Sequence, residues 1–77
     1  MDRLEELYNK MKRGEITKLK YYLAEKKITT EELRKGTAVP KRTLDDYVSG
    51  RRPISGISFI SGINIADRLG VDPHDLI

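Results

Sequence analysis

The sequence predicts an all-α fold: a compact bundle of about five short helices containing a helix-turn-helix, with an additional N-terminal helix. Three observations predict it. Apolar residues recur at helical spacing along most of the chain, beginning with Leu4, Leu7, Tyr8 and Met11. Helix-stop and helix-start residues punctuate these runs: Gly14, Gly36, Gly50 and Gly70 close them, and Asp2, Thr29, Pro40 and Ser58 open them. No stretch alternates as a strand would; residues 54–65 are rich in β-branched side chains but lack the period of two.

The first helix is expected over 2–13. Asp2 can accept from its free amides, Glu5 and Glu6 suit its positive end, and Lys12 and Arg13 its negative end. Its stripe of Leu4, Leu7, Tyr8 and Met11 can serve as intramolecular core or pack across a dimer axis. A second helix over 15–26 turns Ile16, Leu19 and Leu23 inward, with one of Tyr21 and Tyr22 packed and the other exposed. After Ile28, Thr29 can accept from the next free amides, and Glu32 completes a capping box for a short helix over 30–36 anchored by Leu33. Thr37 and Ala38 make the turn, and Val39 precedes a helix over 40–49 with Pro40 in its first turn. That helix turns Leu44, Tyr47 and Val48 inward and Lys41, Arg42, Asp45, Asp46 and Ser49 outward. Arg51-Arg52-Pro53 is a basic loop that cannot continue it. Ser58 caps a longer helix with Phe59, Ile60, Ile63, Ile65, Ala66 and Leu69 mostly inward. Asp72-Pro73 starts a last short turn, and Leu76 closes the core.

The length, 77 residues, suits one domain over 1–77, an N-terminal helical element (1–14) and a core (15–77). A core built from 38% hydrophobic residues is small, and oligomerisation is a common remedy. There is no cysteine and a single histidine, His74, so neither a disulfide nor a thiolate metal site is available, and no cofactor or metal is expected. No apolar run nears the roughly 18 residues of a membrane span, and the mixed-charge opening MDRLEEL is unlike a signal peptide, so a soluble, cytoplasmic protein is expected. No Ser-His-Asp order, phosphate-cradling glycine loop or ligand cluster points to catalysis, and an enzyme is not expected. The net charge of +3 is unevenly spread. Residues 1–27 carry eight Lys/Arg against five Asp/Glu, residues 28–52 six against four, and residues 53–77 one against three. A basic first two-thirds and an acidic last third suit a side facing a polyanion and a side facing solvent or a partner.

The informative segment is 29–50, a capped short helix, a turn and a second short helix whose outward face starts with Lys41 and Arg42. A helix fits the DNA major groove, and Arg and Lys suit the guanine acceptor pair there. The run LRKGTAVPKRTLDDYVSG (33–50), with IADRLGVDP (65–73) after it, resembles the lambda-repressor-like (Xre-type) helix-turn-helix family, over roughly residues 19–76. The resemblance implies a sequence-specific transcriptional regulator, a repressor or autoregulator of bacterial or phage origin associated with the nucleoid. It would bind double-stranded DNA as a homodimer on an inverted repeat. By position it implies base reading by Lys41, Arg42 and Asp45, and phosphate contact by Thr30 and Ser49. Arg51 and Arg52 are expected to add phosphate contacts on the strength of their charge alone. Binding two half-sites would give the stripe of Leu4, Leu7, Tyr8 and Met11 its use at the dimer axis. Arg34 stands where the family has a small residue, and it must either snorkel outward or widen the helix crossing. Ala38 stands where the family's turn has glycine, which would shift the turn toward Gly36. The acids Asp45 and Asp46 leave an alternative open. The same fold could serve as a protein-interaction module, such as an antitoxin or a phage-encoded inhibitor of a host defence nuclease. A positive field continuous from Lys41 to Arg52 distinguishes the DNA reader from that alternative.

Overall fold

A computed structural model describes residues 2–77, and among them it contains five α-helices, two 3-10 turns and no strand. Helix α1 (Arg3–Lys12) opens on Asp2, whose carboxylate accepts from the Leu4 amide at 3.2 Å. It ends through Arg13 and Gly14, where φ is +78°. Leu4, Leu7 and Met11 are half-buried, on a helix that packs against α2 (Lys18–Lys26), and no residue of α1 is fully buried. Tyr8 meets Tyr21 at 5.7 Å between ring centroids, and Tyr21 meets Tyr22 edge-on at 5.5 Å. Both tyrosines of α2 are half-buried, so neither takes the exposed position expected for one of them.

Helix α2 begins later than its apolar spacing suggests, at Lys18 instead of near Glu15. The reason is Thr17. Its Oγ1 accepts from the Lys20 amide at 3.0 Å and donates to the Val48 carbonyl at 2.7 Å, so one hydroxyl sets the helix start and ties it to a distant segment. Ile16 is left half-buried in the connection. Thr17→Val, which keeps the shape and removes both hydrogen bonds, is expected to destabilise the fold by about 1–2 kcal/mol. Urea denaturation checks it, as a lower midpoint with an unchanged slope.

Helix α3 (Thr30–Lys35) is capped by Thr29, which accepts from the Glu32 amide at 3.1 Å. The Thr29 hydroxyl also lies 3.2 Å from the Glu32 carboxylate and donates to it. Arg34 lies partly exposed along the surface and pairs through two guanidinium nitrogens with Glu31, one turn back, as a snorkelling side chain does. Helix α4 (Lys41–Ser49) starts after Pro40, which is its N-cap and not its first helical residue. The turn between α3 and α4 contains no left-handed residue: Gly36 has φ −90°, and the one positive φ outside glycine among the described residues is at Lys27. Gly36 leaves room for a crossing side chain. A Cβ there would sit 2.8 Å from Cδ and 2.9 Å from Nε of Arg68, whose side chain crosses the turn.

A 3-10 turn (Ile54–Gly56) interrupts the loop after α4; Ser58 then caps α5 (Phe59–Leu69), and Asp72 caps the final 3-10 turn (Pro73–Leu76). The core is drawn from every element but α1 and the loop turn: Leu19 and Leu23, Leu33, Val39, Leu44 and Tyr47, Ile65, Ala66 and Leu69, and Leu76. Of the residues expected inward, Ile16, Val48 and Ile63 are half-buried, and two stand in solvent. Phe59 is 80% exposed and Ile60 71% exposed. Ile60 lies about 140° round the helix from Ile65, five residues at about 100° each. Phe59 shares a face with Ile63 and Ala66 but sits in the first turn, beside Ile54, Ile57, Pro73 and Ile77 and not against another α-helix.

Candidate nucleic-acid interface

Helices α3 and α4 pack on one another, and the core side of each is sealed: Leu33 and Leu44 have no exposed surface. The opposite side of α4 leaves Lys41, Arg42 and Asp45 exposed. Burying Leu44 and Tyr47 forces this, because residues three and four apart share a helical face. Among the α-helices, α4 alone lacks a side-chain cap: Asp2, Thr17, Thr29 and Ser58 serve the others, and Pro40 has no side-chain acceptor. The first amides of α4 therefore carry the helix's positive end into solvent beside Lys41 and Arg42.

Asp46 does not share that face. Its side chain is only 18% exposed and turns toward the loop after Gly50, with its carboxylate 3.5 Å from Arg51 Nη1 and 4.0 Å from Arg52 Nη2. The Asp46 carbonyl accepts from the Arg52 amide at 3.1 Å and from the Ser49 hydroxyl at 3.2 Å, and Ser49 Oγ in turn accepts from the Arg51 amide at 3.3 Å. Two acids were expected on the outward face; folding the loop back onto α4 withdraws one of them. The same contacts hold the Arg51–Arg52 pair against the end of α4 with their guanidinium groups largely in solvent, 80% and 55% exposed. Ser49 is exposed, with its hydroxyl engaged in this loop. Thr30 is half-buried at the first position of α3. Near it, the Glu31 carboxyl is held below the usual range by the hydrogen bond from Arg34, with the Lys41 charge adding to the effect.

The structure adds residues that were not singled out in the sequence. Lys20 and Lys27 flank a shallow groove that contains Thr29, Thr30 and Val48, so two more cations border the start of α3. Arg68 over Gly36 had no local signal, because the two are distant in sequence. These groups place exposed cations at α2 and at both ends of α4, with the acids Glu32 and Asp45 exposed among them. Such a surface can neutralise phosphates while the tip of α4 presents donors to base edges. Among the described residues no cluster of three or more His, Asp or Glu could hold a metal ion, and no helix is long and apolar enough to cross a membrane.

Residues 18–77 match a family model described as a Cro/C1-type helix-turn-helix DNA-binding domain. The match runs from the start of α2 through the last 3-10 turn and leaves α1 outside. No curated protein and no solved structure is significantly similar to the chain.

Proposed function

The chain belongs to the Cro/C1-type helix-turn-helix family of DNA-binding domains, and from that premise we propose that it is a transcriptional repressor or autoregulator that binds an inverted repeat as a homodimer, with α4 in the major groove. One observation carries the proposal. The amino end of α4 is uncapped, solvent-facing and flanked by the exposed Lys41 and Arg42, while its other face is locked into the core by Leu44 and Tyr47. In this proposal Arg42 and Lys41 donate to guanine, and Asp45, one turn on, accepts from a cytosine amino group. Thr30, Arg51 and Arg52 contact phosphate, joined by Lys20 and Lys27. Ser49 acts through the loop that its hydroxyl ties down.

Selection of bound sequences from random duplex DNA at moderate salt tests the function. An enriched inverted repeat is expected; recovery of no preferred sequence would remove the sequence-specific part of the proposal. Arg42→Ala is expected to cost about 1–3 kcal/mol of binding and to relax preference at one base position per half-site. Unchanged affinity and unchanged base preference would reassign Arg42 to an ordinary solvated position.

A further inference from the structure

Helix α1 lies outside the residues that match the family, and the fold uses only part of it. Leu4, Leu7 and Met11 are half-buried on the helix that packs against α2, which leaves one side open, with Glu5, Tyr8 and Lys12 exposed along it. These three stand at i, i+3 and i+7, so they share a face. Two shallow grooves border that face and meet at Tyr8: one holds Asp2, Leu4 and Tyr21, the other Met11, Lys18 and Tyr22. Three of the chain's four tyrosines thus form one cluster at the surface, Tyr8 against Tyr21 and Tyr21 against Tyr22.

We propose that this face of α1 is a contact between two copies of the chain, in which the two α1 helices lie antiparallel across a two-fold axis beside Tyr8. The order of charges chooses the occupant. Along the face the chain reads acid, aromatic, base. Glu5 and Lys12 lie about 5 Å along the helix on either side of the point between Tyr8 and Asn9. Turned end for end about that point, the face is its own complement: Glu5 of each copy meets Lys12 of the other, and the two Tyr8 rings meet at the axis. The grooves repeat the pattern, with Asp2 at the acidic end and Lys18 at the basic end, where Asp75 is the opposing charge. Glu5 has no ion-pair partner among the described residues. Lys12 lies over the Tyr8 ring at 5.6 Å, an exposed contact that it can exchange for a carboxylate. None of the proposed DNA contacts is on α1, and Lys20 and Lys27 line a separate groove, so the contact takes up none of the DNA-facing groups. It goes beyond the DNA-binding reading and does not depend on it.

Size sets the strength. Helix α1 has 10 residues and is about 15 Å long, too short to supply the roughly 800 Å² that one partner gives to a standard interface. The contact is therefore weak and reversible, and salt screens its charged part, which is exposed.

Sedimentation equilibrium over a concentration series, on the native chain and on charge-reversed variants, tests the proposal. The native chain is expected to self-associate. Glu5→Lys sets lysine against Lys12 at both symmetry-related pairs, and Lys12→Glu sets glutamate against Glu5; each is expected to raise the dissociation constant roughly tenfold. The double variant E5K/K12E restores opposite charges and is expected to return to the native value. The single changes move the net charge of +3 in opposite directions, up by two and down by two, so bulk repulsion cannot weaken both. Each also removes a favourable charge from one end of α1, and that loss would accumulate in the double variant instead of reversing. A native chain that stays monomeric at millimolar concentration, a single variant that associates as the native chain does, or a double variant no better than the singles would each overturn the proposal. If the native chain binds no DNA at all, the regulator proposal fails, and sedimentation still decides whether α1 makes this contact.

Discussion

Raising monovalent salt from about 50 to about 200 mM is expected to weaken binding to an inverted repeat by roughly 10³–10⁵-fold. Lys41 and Arg42 lie at the tip of α4, Arg51 and Arg52 at its far end, and Lys20 and Lys27 beside the start of α3. If about four of these reach phosphate in each copy, a dimer neutralises about eight, and each releases counterions with a slope near −0.9 on a log–log plot. The contacts to Asp46 do not cancel the loop arginines. At 3.5 and 4.0 Å, with the guanidinium groups largely in solvent, these ion pairs are of the kind worth about 0–1 kcal/mol, so both arginines can exchange onto phosphate. Fluorescence anisotropy at several salt concentrations measures the slope. Replacing Lys20 or Arg51 with alanine should reduce its magnitude by about one per phosphate lost, and a nearly flat salt response would exclude this surface as the DNA-facing side.

The second large effect is on stability. Leu44→Ala is expected to cost about 2–5 kcal/mol, because it empties a fully buried position beneath the exposed face of α4. A chain of this size has about 4–12 kcal/mol in total, so the loss removes a large share of it, and near the lower end of that range much of the population unfolds and DNA binding falls with it. Circular dichroism during urea titration gives the value. A loss under about 1 kcal/mol would mean that α4 is not seated through Leu44, and the orientation of Lys41 and Arg42 would need another explanation.

Much of this architecture was legible residue by residue. Asp2, Thr29 and Ser58 cap the helices that they were expected to cap, and Leu33, Leu44, Tyr47, Ile65, Ala66, Leu69 and Leu76 are buried as their spacing required. The exposure of Lys41, Arg42 and Asp45 follows from the same rule, since a short helix that buries one face must show the other. The departures share a different cause. The start of α2 moved to Thr17 because that hydroxyl bonds the Val48 carbonyl, in a different helix. Asp46 left the outward face because the loop beyond Gly50 folds back and brings two arginines to it. The glycine in the turn has no unusual backbone angle, and the side chain that crosses it, Arg68, comes from a distant part of the chain.

The amino-acid sequence by itself determined the helices, their order, the core stripe of each and the cationic tip of α4. Caps, turns and periodicity act over one or two turns of chain, and their physics is complete within that span. Only the tertiary structure decided which acid faces out, where α2 begins, and that Phe59 and Ile60 remain in solvent. Each of those depends on what stands opposite the residue in space, and an apolar side chain is buried only where another element arrives to cover it.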